Sequence, residues 1–206
     1  MTVDQRGLAV SVPWKTPERR VTAFVEEHAD WVLRKLEAWS RHPARRAAWA
    51  SGDVLHFVGR QLRLEVAPGP VALARLDEGD RLCLELPAGA PVREAVVQWY
   101  RGHAQANFRE RIALLAPRLG VPAPRLFLSS ARTRWGSCNV RGDVRLNWRL
   151  VQAPQPTIDY VVVHELAHLI EMNHSRRFWK LVAGACPQYA DARAELDRMG
   201  PYYMDI

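Results

Sequence analysis

The feature that most constrains the fold is residues 160–168, which read Tyr-Val-Val-Val-His-Glu-Leu-Ala-His. This segment contains the pattern His-Glu-x-x-His, with His164 and His168 four residues apart. Residues at this spacing lie on one face of an α-helix, so both imidazoles can reach a single ion. The apolar run before His164 predicts that the start of the helix is buried. We therefore expect a buried helix that presents a metal site.

Glu165 gives this helix a chemical function beyond metal binding. Its carboxylate projects near the same ion without needing to bind it, and from there it can take a proton from a metal-activated water. The alternative is a pair of core or surface histidines with no ion. Three histidines within eleven residues, one of them next to a glutamate, argue against that alternative.

A catalytic zinc ion needs a third protein ligand in addition to water. The best candidate is His174, six residues after His168, which requires the helix to end and the chain to turn back. Asn173 is predicted to end the helix in a left-handed conformation, and Ser175 is predicted to cap the next helix. The alternatives that stay open are three carboxylates, Glu171, Asp191 and Glu195.

Composition predicts a folded protein in a reducing compartment. Of the 206 residues, 48% are hydrophobic and 25% are charged, which excludes wholesale disorder. No uncharged apolar run approaches the roughly 20 residues needed to cross a bilayer, and the first fifteen residues do not resemble a signal peptide. Three widely spaced cysteines do not suggest a disulfide framework. We expect a cytoplasmic protein without a membrane partner.

The basic balance, a formal net charge of +7, is concentrated in residues 125–149, which contain six arginines and one aspartate. Arginine suits planar, bidentate recognition of phosphate. Strand alternation would place these polar side chains on shared faces, Arg132 with Arg134, and Arg145 with Asn147 and Arg149. The alternative is a solvated outer face of a hairpin that binds nothing.

The pattern along the chain predicts an α+β fold. Short alternating runs between residues 51 and 86 predict a small β-rich N-terminal region, and a long helix is expected at about 91–119. Two strand-like segments, 125–138 and 144–150, are joined by a hairpin turn. We expect an antiparallel sheet whose edge borders a cleft, with the long helix behind it and the metal helix across the floor.

The sequence pattern changes near residue 88, which suggests that the chain has two parts. Residues 1–88 form the N-terminal strand-helix-strands region, and residues 89–206 form the metal-binding domain, unless the two make one continuous domain.

Four segments together resemble one known family. They are Arg-Trp-Gly-Ser-Cys at 134–138, Leu-Asn-Trp-Arg-Leu at 146–150, the metal helix at 160–168, and Asn-His-Ser-x-x-Phe-Trp at 173–179. In this order they resemble the YgjP-like metallopeptidase family, which is related to the SprT-like zinc peptidases of the zincin group. The resemblance is dense from about residue 125 to residue 189.

The resemblance implies a zincin-like fold and a defined site. One Zn²⁺ ion would be held by His164, His168 and His174 together with a water, and Glu165 would be the general base. It also implies that residues 134–150 lie along the active-site cleft.

These expectations lead to one principal hypothesis and two alternatives. The principal hypothesis is a zinc-dependent metallopeptidase that hydrolyses peptide bonds of a peptide or protein substrate. Arg134 or a tyrosine would stabilise the oxyanion, and the candidate substrate contacts are Arg134, Arg132 and Asn147. The first alternative uses the arginine-rich hairpin 125–149 for nucleotide phosphoanhydride hydrolysis, or for proteolysis of nucleic-acid-associated proteins. The second is a non-catalytic module with structural zinc, which usually has four protein ligands.

Overall fold

A computed structural model of the chain describes residues 1–4, 7–40 and 49–206. The backbone divides into two compact units, one of residues 46–193 and one of residues 1–45 with 194–206. Among the described helices, none combines the length and the apolar character that a membrane span requires. The predicted domain boundary near residue 88 remains a prediction.

The smaller unit contains a short hairpin and helices. Strand β1 (Thr2–Asp4) pairs antiparallel with β2 (Gly7–Ala9), and helices α1 (Glu18–Glu27) and α2 (Ala29–Ser40) follow. The C-terminal part of the last helix, α6 (Tyr189–Met204), completes this unit.

The larger unit begins with a four-stranded sheet, which confirms a β-rich region before the long helix. Its strands are β3 (Val54–Phe57), β4 (Arg60–Pro68), β5 (Leu73–Leu76) and β6 (Arg81–Leu86), in the spatial order β3-β4-β6-β5. Apolar residues at alternating positions lie inside, and the leucines of β3, β4 and β6 bury their side chains on one face (Leu55, Leu62, Leu64, Leu82, Leu84).

The predicted long helix is present as α3 (Val92–Leu119). Its buried residues recur at helical spacing, so one stripe faces the interior, and this stripe includes Trp99, Phe108 and Ile112. Gly120 ends the helix in the left-handed conformation (φ 68°), which glycine adopts without steric cost.

The second sheet has three strands, β7 (Leu126–Ser129), β8 (Gly136–Cys138) and β9 (Val144–Asn147), in the order β7-β9-β8. The predicted single strand 125–138 is therefore wrong, because residues 130–135 form a loop. Two carbonyls of this loop, those of Ala131 and Arg134, accept hydrogen bonds from the Asn147 side-chain amide at 2.6 and 3.1 Å instead of pairing with a strand.

The prediction of an antiparallel sheet is also corrected, since both sheets of the larger unit are mixed. β8 pairs antiparallel with β9 through the predicted hairpin, but β7 runs parallel to β9. The loop 130–135 separates β7 from β8 by the width of one strand. β9 then lies between them as the central strand of the sheet. In the other sheet, β4 and β6 are parallel.

A 3₁₀ helix (Trp148–Gln152) leads from β9 into α4 (Gln155–Ala167), the helix of the His-Glu-x-x-His motif. Arg111 of α3 ties α4 in place: its Nε and Nη2 donate to the two carboxylate oxygens of Asp159 at 2.6 and 2.8 Å. Helix α5 (Arg176–Ala185) follows a short turn and packs against α4. Helix α4 is thus held between the long helix and α5.

Candidate metal centre

The three histidines singled out by the sequence lie together. His164, His168 and His174 each offer a ring nitrogen, and these nitrogens all lie within 4.8 Å of one another. The Nε2 atoms of His164 and His174 are 3.0 Å apart. Ligand nitrogens on a tetrahedral zinc at about 2.0–2.1 Å are separated by about 3.3 Å, so the three side chains converge at the scale of one ion.

The turn that brings His174 back is built by local polar groups. α4 ends at Ala167, and the Asn173 side-chain oxygen accepts the backbone N–H of Ser175 at 3.1 Å. The Ser175 hydroxyl accepts the backbone N–H of Phe178 at 3.3 Å, which confirms the predicted cap of α5. The prediction for Asn173 is corrected, because its backbone is not left-handed. Its side chain, rather than its φ angle, shapes the turn.

His168 is oriented by a hydrogen bond from its other nitrogen. Its Nδ1 donates to the backbone carbonyl of Glu171 at 3.1 Å, which leaves Nε2 to face the centre. Glu171, one of the alternative ligands, therefore contributes its backbone to the site. Of the other two, Asp191 is exposed, and Glu195 accepts the hydroxyl of Tyr203 at 2.9 Å within the smaller unit.

Aromatic side chains from α5 pack around the three histidines. The ring of Phe178 lies 4.6–4.9 Å from all three imidazoles, and Trp179 stacks on His174 at 5.9 Å. This packing makes the site apolar. Burial, with a smaller effect of the neighbouring imidazoles, lowers the pKa of His164 to about 4, and burial also lowers the pKa of His168. Neutral imidazole is the metal-binding form, so the donor set fits zinc.

Glu165 is buried on α4, with 5% of its surface exposed. Burial raises the pKa of its carboxyl to about 8, and the positive charge of Arg134 opposes this rise. Gly136 of β8 lies against it. A Cβ at position 136 would be 2.6 Å from the Glu165 Cγ and 2.7 Å from its Cδ, closer than carbon atoms pack.

The candidate substrate contacts lie in different environments. Arg132 and Arg134 are exposed in the loop 130–135, whereas Asn147 is buried. The Asn147 amide holds that loop and also accepts the backbone N–H of Arg149 at 3.2 Å. In this structure the Asn147 amide therefore fixes the backbone of the loop that carries the two arginines.

The predicted face shared by Arg132 and Arg134 is not formed, because neither residue is on a strand. Arg145 and Asn147 are both on β9, two residues apart as predicted, but Arg149 lies in the 3₁₀ helix and does not share their strand.

Two arginines of this segment have local partners. Arg125 pairs with Asp143 at 2.6 Å, and the Arg145 guanidinium lies 5.2 Å from the centre of the Phe127 ring.

Sequence reasoning attached no role to Gly136 or Phe178. Gly136 is part of the segment 134–138 and Phe178 is part of the segment 173–179. Gly136 contacts Glu165, and Phe178 contacts the histidines, in each case from a different secondary-structure element. A glycine beside the buried face of a strand, where a side chain would normally pack, is the one local signal that points to such a close approach.

A family model described as YgjP-like, metallopeptidase domain, matches residues 1–199. The chain belongs to this family. This match confirms the resemblance of the four sequence segments to the family. The YgjP-like chain is therefore related to metallopeptidases.

Two further similarities cover less of the YgjP-like chain. A curated protein of Escherichia coli (strain K12), UTP pyrophosphatase, is 34% identical over 64 residues, which is 31% of this chain and 38% of that protein. The match thus spans little more than a third of the curated relative. The crystal structure of the metallopeptidase zymogen of Pyrococcus abyssi abylysin is 22% identical, covers 45% of this chain and 90% of that one, and has a TM-score of 0.40.

Proposed function

We propose that this chain is a zinc-dependent metallopeptidase that hydrolyses peptide bonds. The observation that carries the proposal is the convergence of three histidines at one point beside a buried glutamate on the same helix. Three protein ligands leave one position for water, as catalytic zinc sites require, whereas structural zinc sites usually have four protein ligands. Membership of the metallopeptidase family supports the same class of reaction.

His164, His168 and His174 would hold the ion. When bound, zinc lowers the pKa of a water and polarises the scissile carbonyl. With Zn²⁺ held by the three histidines, the carboxyl of Glu165 would be favoured in its ionised form by the nearby positive charge. Glu165 then takes the proton of the attacking water and delivers it to the leaving amine. The exposed guanidinium of Arg134, whose charge acts on Glu165, would stabilise negative charge that develops on the carbonyl oxygen.

Strand β8 offers a way to align an extended substrate. It pairs only with β9 among the described strands and carries Gly136 beside Glu165. An edge strand has unpaired N–H and C=O groups that can bind a peptide by strand addition. A substrate bound in this way would run alongside the general base.

A second candidate is metal-dependent hydrolysis of a nucleotide phosphoanhydride. The observation that favours it is the similarity to a curated UTP pyrophosphatase, together with the exposed arginines of the loop next to Glu165. The three-histidine donor set counts against it, because phosphoanhydride hydrolysis usually relies on magnesium or manganese held by carboxylates.

A paired screen separates the two candidates. The purified chain, with its metal content measured, is incubated with unfolded protein substrates and, separately, with nucleoside triphosphates. Peptide cleavage that is abolished by E165Q supports the peptidase. Pyrophosphate release without any peptide cleavage would contradict it and support the second candidate, and one zinc per chain without turnover would indicate a structural metal.

A further inference from the structure

A groove with a volume of about 530 Å³ lies between the C-terminal end of α3 and one flank of α5. Both helices belong to the larger unit, and they pack against each other. Three cationic side chains line the groove, Arg118 from α3 and Arg177 and Lys180 from α5. We call it the α5 groove.

The rest of the lining is apolar. It consists of Leu119, Leu181, Gly184 and Ala185, so none of the described residues that line the groove is acidic. Gly184 is exposed, and a Cβ at this position would meet nothing within 4 Å. The groove is therefore open at Gly184, where a partner can come close to the backbone of α5.

The three cations of the α5 groove are exposed and have no acidic partner within the chain. Across residues 1–4, 7–40 and 49–206, no carboxylate forms an ion pair with them, whereas Arg111 of α3 is paired with Asp159. Charges of one sign in a concave surface concentrate the electrostatic potential there and attract a partner of the opposite sign. The groove is therefore complementary to an anionic partner.

The position of Arg177 on α5 has no explanation in the stability of the helix. Arg176 and Arg177 are the first two residues of α5, and its first turn contains no acidic residue. The N-terminus of a helix carries a partial positive charge, so a cation there is unfavourable by up to about 1 kcal/mol. Arg118, in the last turn of α3, is by contrast at the favourable end of its helix. An anionic partner would offset the cost at Arg177.

The α5 groove uses a different face of α5 from the one that packs on the metal centre. Arg177, Lys180 and Gly184 follow one another at spacings of three and four residues, so they share one face of the helix. Phe178 and Val182 are the buried residues of α5, and Phe178 contacts the three histidines. A partner in the groove therefore binds the same helix that packs against the histidines.

We propose that the α5 groove is a docking site for an acidic, amphipathic helical segment of a protein partner. Carboxylates three or four residues apart on such a segment match Arg177 and Lys180, and Arg118 meets them from the α3 side. The apolar side chains of the segment cover Leu119 and Leu181, in the way that an amphipathic helix lies in a groove. A phosphate polymer would pair with the cations but leave these two leucines uncovered. The proposal concerns binding, and it does not depend on which bond the metal centre hydrolyses.

Fluorescence anisotropy with a labelled synthetic peptide tests the proposal. The probe repeats the unit Glu-Leu-Leu-Glu over about twelve residues, roughly 18 Å of helix, and the salt concentration is about 0.15 M. Two control peptides carry lysine in place of glutamate, or serine in place of leucine. The Tm of every variant, measured on the same preparation, shows that it is folded.

Two pairs of variants separate charge from shape. R177Q/K180Q removes two cations of the groove, and R109Q/R176Q removes two exposed arginines of the same two helices that do not line it. Gly184→Leu fills the groove, and Gly102→Leu is its control, because a Cβ at either glycine meets nothing within 4 Å.

We expect R177Q/K180Q to raise the Kd of the probe by at least about 10-fold and R109Q/R176Q to change it by less than about 2-fold. Gly184→Leu should also raise the Kd by at least about 10-fold without lowering Tm, whereas Gly102→Leu should leave it unchanged. The lysine and serine peptides should bind at least about 10-fold more weakly than the probe.

Four results would overturn the proposal. Equal effects of the two double variants would show general charge attraction, and wild-type affinity in Gly184→Leu would place the peptide elsewhere. A serine peptide that binds as tightly as the probe would show that the apolar floor is not used. Single-stranded RNA that binds more tightly than the probe, with the same dependence on Arg177 and Lys180, would assign the groove to a nucleic acid. Failure of peptide cleavage by the wild-type chain would contradict the proposed function without affecting any of these measurements.

Discussion

Gly136 and Glu165 are in direct contact across two elements of the larger unit, and the contact leaves no room for a side chain at position 136. A Cβ there would lie 2.6 Å from the Glu165 Cγ. The strand that carries Gly136 is thereby set against the helix that carries His164. A methyl group at position 136 would therefore force the Glu165 side chain to move.

Gly136→Ala should displace the Glu165 carboxylate while leaving the histidines in place. Because a shift of about 1 Å at a reacting group costs roughly 100-fold in rate, we expect kcat/KM to fall by about 100-fold with zinc content unchanged. Steady-state kinetics with metal analysis measures both quantities.

Gly102→Ala is the matched control. A Cβ at this position of α3 meets nothing within 4 Å, and alanine favours the helix over glycine by up to about 1 kcal/mol. The control should keep full activity and gain slightly in thermal stability. If Gly136→Ala is as active as this control, the contact with Glu165 has no functional importance.

Metal removal should destabilise the larger unit. At free zinc about 1,000 times above Kd, binding contributes roughly 4 kcal/mol to the folded state, so we expect a chelator to lower Tm by about 10 °C. His174→Ala, an exposed position, should lower the Tm of the zinc-supplemented protein toward that value with little change in the chelated protein. Calorimetry with and without chelator tests this, and an equal Tm loss in both conditions would mean that His174 acts only in packing.

The Arg111–Asp159 pair should stabilise the fold more than an exposed ion pair. Its side chains are 17% and 21% exposed and share two hydrogen bonds, whereas Arg75 and Glu85 are 66% and 36% exposed. A double-mutant cycle to alanine should give a coupling free energy of about 1–3 kcal/mol for the first pair and below about 1 kcal/mol for the second. Similar values for both pairs would show that the tie between α3 and α4 has no special importance.

Cys138 should be unreactive near neutral pH. Burial, followed by the negative charges of Glu165 and Asp143, raises the pKa of its thiol. Because only the thiolate reacts, a raised pKa lowers the thiolate fraction at any pH below it, and the rate of alkylation should rise only in alkaline solution. Iodoacetamide labelling of the C83S/C186S variant measures this rate. An inflection below the pKa of an unfolded cysteine peptide would contradict the prediction, and Cys138→Ala should keep activity.

The parts of the site that local sequence determines could be predicted. His164 and His168 share a helical face because of their spacing, and the Ser175 cap follows from a short-range hydrogen bond. The long helix α3 was predictable because its apolar stripe continues over its whole length. Each of these features depends on residues within a few positions of one another.

The remaining features depend on contacts between distant segments. The break in the predicted strand 125–138 arises because Asn147 captures two carbonyls of the loop, and the parallel pairing of β7 with β9 follows from the path of that loop. The packing of the 3₁₀ helix on α3 likewise joins segments that are distant along the chain. Periodicity within one segment carries no information about such partners.

The central claim is that a three-histidine metal centre acts with Glu165 as its general base, and Glu165→Gln tests it most directly. Zinc per chain and the rate of hydrolysis of an unfolded protein substrate are measured on the same preparation. We expect one zinc per chain in both proteins and a rate at least about 100-fold lower in the variant, since a general base typically contributes that much. A variant that binds zinc and retains the wild-type rate would contradict it.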